Sequence, residues 1–158
     1  MAAPVHAVAQ KQAYEEYDVA PIGPWPEPWE WMAEIDEALL GLRRDLHHRF
    51  LLGGGAVRGV RIERVGRVAG NAYISADGHV GPLAIAPDAD AKAVATTALR
   101  CALEGGPSRV PIIVPGQADV VMQVALALGL RNEEPYVLIT SQTFGNWRNY
   151  LPRATGFL

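Results

Sequence analysis

Residues 83–99 read LAIAPDADAKAVATTAL, and the fold turns on how this stretch divides. Leu83, Ala84 and Ile85 form an apolar run that stops at Pro87, a residue that cannot donate to a strand ladder. Beyond it, residues 89–104 are rich in alanine and free of glycine and proline. That composition favours a helix, with Asp88 or Asp90 placed to cap its first turn. Gly105-Gly106-Pro107 ends the helix. A buried strand that passes directly into a helix points to an α/β or α+β domain.

Working upstream, His79–Ala86 (HVGPLAIA) is the whole of this strand, and Asp77-Gly78 before it is a tight-turn pair. Arg67–Ser75 (RVAGNAYIS) is a second strand, set off by a turn at Val65-Gly66. RGVRIER (58–64) is a third, with Val60 and Ile62 on one face and Arg61 and Glu63 on the other. Three antiparallel strands with short turns make a meander. Before Gly53-Gly54-Gly55, residues 29–50 carry Trp29, Met32, Ile35, Leu39 and Leu42 at helical spacing, which predicts one amphipathic helix. Arg43, Arg44, His47, His48 and Arg49 then read as its solvated, dipole-favoured end. Adjacent histidines on a helix diverge, and no third ligand is spaced to join them, so no metal site is expected.

Residues 1–28 are expected to form an extended arm, because Pro21, Pro24, Pro26 and Pro28 exclude a helix. Trp25, Trp29 and Trp31 in or beside it are expected to pack on the domain or on a second subunit; the other reading is a peptide-like ligand for another protein. Residues 29–158 are expected to be one domain. Downstream of the alanine-rich helix come a short buried strand at Arg109–Val114 (RVPIIV), a helix over 117–128 ended by Gly129, and a strand at Tyr136–Thr140 (YVLIT). The last 18 residues are aromatic and irregular.

The chain has 158 residues, 49% of them hydrophobic and 20% charged, which excludes a wholly disordered polymer. A net charge of -3 argues against a general nucleic-acid binder. The single cysteine, Cys101, excludes an intramolecular disulfide, and its helical neighbours Ala98 and Ala102 place it in a packed face. No apolar run reaches membrane-spanning length. The start, MAAPVHAVAQ, lacks the charged and apolar blocks of a secretory signal, so a soluble cytoplasmic protein is expected.

The order of helix, meander, helix, strand, helix, strand, with two local motifs, resembles the GCN5-related N-acetyltransferase (GNAT) superfamily. Leu83, Ala84, Ile85, Pro87 and Leu99 fall in register with that family's fourth strand and third helix. Leu128-Gly129-Leu130-Arg131 is similar to the end of its fourth helix. Gly78 to Ala84 and Val114-Pro115-Gly116 also resemble the C-terminal domain of tandem acetyltransferase-like proteins. The resemblance spans roughly residues 57–140. It implies a mixed, mostly antiparallel sheet with a splayed central strand pair and flanking helices.

The resemblance further implies an acyl-CoA N-acyltransferase that moves an acetyl group from acetyl-CoA to a small-molecule or protein amine. In the family the pantetheine pairs with the fourth strand, here Leu83, Ala84 and Ile85. The pyrophosphate rests on amides at the start of the third helix, here Ala91, Lys92, Ala93, Val94 and Ala95, where free N–H groups and the helix dipole favour an anion. Lys92 supplies the cation. Three positions depart from the pattern: Asp90 puts a carboxylate beside the phosphate site, Ala93 replaces a glycine, and Ala125 replaces the usual tyrosine acid. Tyr73, Tyr136 or Tyr150 are candidate replacements for that acid, and Glu63 and His79 are candidate bases; none is assigned. The other reading is a non-catalytic GNAT-fold binding or dimerisation module with a decayed CoA site. The tail offers a short final strand at best, so an open sheet edge covered by a second copy, a homodimer, or by the chain's own arm is expected.

Overall fold

The computed structural model describes residues 17–23 and 29–156. Of the expected arm, residues 1–16 and 24–28, with Trp25, lie outside the described residues. Chain order is β1 (Asp18–Pro21), α1 (Glu30–Leu40), α2 (Asp45–Gly53), β2 (Val57–Arg64), β3 (Arg67–Ser75), β4 (Val80–Ile85), α3 (Ala91–Leu103), α4 (Asp119–Ala127) and β5 (Tyr150–Leu151). The expected α+β class holds. The five strands form one sheet in the order β1-β2-β3-β4-β5, every adjacent pair antiparallel.

The meander forms where the alternation of residue types requires it. Val60, Ile62, Ala72, Ile74, Leu83 and Ile85 face α3 and α4, packing with Val94, Ala98, Leu99 and Val121. Tyr73, Ala84 and Tyr150 face the opposite way, toward α1 and α2. Cys101 is buried in α3 at 3% exposure, as its neighbours implied. Trp29 is buried with Met32, Leu51 and Tyr73. Among the described residues, no helix is long and apolar enough to cross a membrane.

Four local readings change. The single helix expected over 29–50 is two helices, because Gly41 takes a left-handed conformation (φ 74°) and its N–H closes on Glu37 O at 3.0 Å. Such a cap ends α1 at Leu40, two residues before Leu42, which is left 47% exposed. Residues 18–21, inside the expected arm, are an edge strand on β2, with Val19 opposite Ile62.

The strand expected at 109–114 makes no ladder. Pro111 and Pro115 lack the N–H groups a ladder needs. Val110, Ile112 and Val114 pack half-buried on the core, and Val80 N–H donates to Pro111 O at 3.0 Å. The strand expected at 136–140 is also absent as a ladder, since every residue from 131 to 143 is exposed and, among the described residues, no neighbouring strand reaches it.

The β2–β3 hairpin turns through Val65 (φ 51°) and Gly66 (φ 72°). Two successive positive φ values suit Asn-Gly, and a β-branched residue in the first is strained by about 1–3 kcal/mol. Val65 is 94% exposed, so its side chain contributes little packing. Replacing it, Val65→Asn, is expected to stabilise the protein by about 1 kcal/mol, raising Tm by about 3 °C in a thermal melt. An unchanged or lower Tm would show that the turn stores no strain.

Candidate functional site

β4 and the turn after it set the geometry of the site. Leu83, Ala84 and Ile85 are fully buried. On one edge they pair with Ala72, Asn71 and Gly70 of β3. A Cβ on Gly70 would meet Ala84 O at 2.5 Å and Val94 Cγ1 at 3.1 Å, so only glycine lets α3 sit this close. The other edge of β4 is shared. Its start meets the 109–115 segment through Val80, whereas its end meets β5, with Leu83 opposite Leu151 and Ala84 opposite Tyr150. Ile85 N–H donates to Asn149 O at 2.9 Å, and Asn149 Nδ2 returns a bond to Ile85 O at 3.3 Å. The backbone of residues 83–85 is therefore engaged from both sides.

Five residues separate β4 from α3. Asp90 is its N-cap, and its Oδ1 accepts the Ala93 N–H at 3.1 Å. Ala93, Val94 and Ala95 are buried, Ala91 is half-buried, and Lys92 is exposed with its carbonyl accepting from Thr96 at 2.7 Å. Lys92 thus presents a cation at the helix start, while the Asp90 carboxylate already holds one of the first-turn amides.

The remaining candidate residues scatter. Ala125 is buried in α4 among α3 side chains. Glu63 pairs with Arg61 at 2.7 Å on the sheet. Tyr136 is 61% exposed and donates to Glu134 at 2.6 Å. His79 is half-buried, and burial, with Arg153 nearby, holds its imidazole below the usual 6.5. Its Nε2 has no hydrogen-bond partner among the described residues.

Tyr73 and Tyr150 meet in one buried polar network. Arg44 donates to Asp36 Oδ1 at 3.3 Å and to the Tyr150 hydroxyl. Asp36 Oδ2 lies 2.7 Å from His48 Nε2, and His48 Nδ1 lies 2.6 Å from the Tyr73 hydroxyl. Asp36, Arg44, His48 and both tyrosines are each at most 4% exposed. With Asp36 ionised, Nε2–H donates to it, and a neutral His48 then accepts from Tyr73 through Nδ1. Burial raises both tyrosine pKa values well above 10; Arg44 opposes this in each and Asp36 reinforces it. Both hydroxyls stay protonated at neutral pH. Two donors in this region, Arg44 Nε and Asn71 Nδ2, have no partner among the described residues.

The sequence reading took the Arg43–Arg49 cluster as a solvated helix end, and for Arg44 and His48 that is corrected. The break at Gly41 redirects α2, so the face that carries Arg44 and His48 turns onto the sheet. The available signal was the spacing of Asp36, Arg44 and His48, eight and four residues apart on the same side as Leu40 and Leu51. Among the described residues, no group of three or more His, Cys, Asp or Glu side chains could hold a metal ion.

Neither a family model nor any curated protein matches the sequence. Two solved structures match the fold. One is AAC(6')-Iy in complex with the bisubstrate analogue CoA-S-monomethyl-acetylneamine, with a TM-score of 0.61 and 13% identity, covering 80% of this chain and 99% of the other. The second is an aminoglycoside acetyltransferase from an uncultured soil metagenomic sample, in complex with trehalose. Its TM-score is 0.54 at 12% identity, covering 82% of this chain and 97% of the other. The chain has the GNAT fold. The sequence resemblance rested on residues 83–99, which form β4 and the start of α3, and on a strand at 109–114 followed by the helix ending in Leu128-Gly129-Leu130-Arg131; of that second pair α4 is formed, whereas 109–114 makes no ladder.

Removing one partner from the buried network leaves an uncompensated charge, which costs about 3–5 kcal/mol. Asp36→Ala is expected to lower stability by that amount in urea unfolding. The double variant Asp36→Leu/Arg44→Met is expected to lose less than the two single losses combined. Additive losses would show that the two residues do not depend on each other.

Proposed function

We propose that the chain is an acyl-CoA-dependent N-acyltransferase that moves an acetyl group from acetyl-CoA to the amine of a small molecule. The observation that carries this reading is the fold shared, over 80% of the chain, with a protein solved with a CoA-linked analogue of an acetylated amine. The residues that would hold the cofactor are Leu83, Ala84 and Ile85 along the strand and Ala91, Lys92, Ala93, Val94 and Ala95 at the helix start. Lys92 would meet the phosphates. The base and the acid stay unassigned. A homodimer and a cytoplasmic location belong to the same proposal.

In the arrangement described, the fit to CoA is incomplete. A pantetheine on β4 and residues 149–151 compete for the same backbone groups, so binding requires β5 to leave. Releasing the buried side chains of Tyr150 and Leu151 costs about 4 kcal/mol, taking about 2 kcal/mol for each. That weakens the apparent affinity about a thousandfold, because only the released fraction binds.

A second reading has specific support: a non-catalytic GNAT-fold module with a decayed CoA site. Asp90 satisfying the Ala93 amide, β5 on the edge of β4, and Ala125 in place of a tyrosine all favour it.

Calorimetric titration with acetyl-CoA separates the two. Under the first reading Lys92→Ala weakens binding about fivefold, the loss of about 1 kcal/mol. Tyr150→Phe tightens it about tenfold, because it removes the Arg44 bond that holds β5. No heat at millimolar acetyl-CoA for the native chain or for Tyr150→Phe would leave the second reading.

A further inference from the structure

The C-terminal segment is fastened to the turn before β4 as well as to β4 itself. A Cβ on Gly81 would meet Pro152 O at 2.8 Å, the Arg153 Cα at 3.2 Å and His79 Nε2 at 3.2 Å, so the segment and the imidazole converge on one side of Gly81. Arg153 Nη1 donates to Gly81 O at 3.0 Å. His79 is half-buried, and its Nε2 is sealed from water with no hydrogen-bond partner among the described residues. The groups around the imidazole come from four directions. The turn brings Asp77, whose Oδ1 accepts the His79 N–H at 3.3 Å and the Ser75 hydroxyl at 2.5 Å. The C-terminal segment brings Arg153. The 107–111 segment, packed on Gly78, brings Arg109, whose guanidinium is paired with Glu133. β3 brings only the uncharged Ser75, whose N–H donates to His79 O at 3.0 Å.

We propose that His79 is a proton-sensitive latch for residues 149–153: neutral, it lets the segment close on the edge of β4, and protonated, it loosens it. A neutral imidazole fits the seam. An imidazolium adds a buried N–H at Nε2 with no acceptor and a second positive charge beside Arg153. Burial, and after it the Arg153 charge, hold the His79 pKa below 6.5, outweighing Asp77 and an Arg153 backbone group. A ring freed by release of the segment takes up its proton in the ordinary histidine range. The released form therefore binds the proton first. Closure has its full strength above that range and weakens as pH falls through it. The Arg44 bond to Tyr150 persists, so the latch changes how often the segment opens without removing its anchor. The edge it uncovers is the one on which the acyl-CoA reading depends. The latch itself rests on packing alone, so either can fail without the other.

The test is amide hydrogen exchange on the full chain without acetyl-CoA, at about pH 8 and about pH 5, which bracket the ordinary histidine range and stay above that of carboxylates. Each rate is divided by its intrinsic rate at that pH. Protection of Ile85, whose N–H donates to Asn149 O, and of Leu151 is expected to fall about fivefold at the lower pH relative to Leu99 inside α3, the effect of one unit charge set near another. His79→Gln is expected to show no such fall. Arg153→Gln loses the bond to Gly81, so it is expected to protect the segment less at both pH values and to shrink the difference between them. If His79→Gln fails to fold, the Arg153→Gln comparison decides. Equal protection at both pH values, or a loss shared by Leu99, overturns the proposal. So does a pH effect that persists in His79→Gln or is undiminished in Arg153→Gln.

Discussion

Arg44 carries a permanent charge into a space sealed from water, and the face of the sheet toward α1 and α2 is organised around keeping it paired. Desolvating a guanidinium costs several kcal/mol unless its partners are close and fixed. Asp36 supplies the counter-charge and the Tyr150 hydroxyl takes a second bond, with the Arg44 guanidinium carbon 4.9 Å from the tyrosine ring centre. Asp36 is in turn committed to His48, and His48 to Tyr73 of β3. One chain of contacts thus ties α1 and α2 to the middle of the sheet and to the C-terminal strand. β5 has two residues and few backbone bonds of its own, so this anchor does much to decide where residues 149–151 lie.

That placement bears directly on function. The edge of β4 is the surface on which a GNAT-like fold would hold its cofactor, and here it is engaged by the chain itself. The first turn of α3 shows the same economy: Asp90 occupies an amide that an anion would otherwise receive. If β4 and the start of α3 hold a cofactor as proposed, each feature raises the affinity that cofactor must have before it displaces the protein's own groups, and Lys92, exposed at the helix start, would be the cation that favours it.

The sheet face toward α3 and α4 was legible in the sequence, because there the pattern is local. Alternation in 58–64, the turn pairs Val65-Gly66 and Asp77-Gly78, and the alanine-rich helix from residue 91 follow from neighbours in the chain. The opposite face was not legible. A cluster of Arg and His reads as surface in sequence, and only the left-handed Gly41 turns Arg44 and His48 inward. Tyr150-Leu151 is too short to signal a strand and pairs with β4 from 66 or more residues away. The runs at 109–114 and 136–140 do have strand composition. Pro111 and Pro115 deny the first its donors, and the second finds no partner strand among the described residues. Leu83, Ala84 and Ile85 were readable as a buried strand, but nothing local announces what lies along their outer edge.

Hydrogen exchange at the amides of residues 83–85 and 149–151, followed with and without millimolar acetyl-CoA, tests the displacement of β5 most directly. The account predicts that 149–151 lose protection on adding the ligand while 83–85 keep theirs. Unchanged protection in both segments would contradict it.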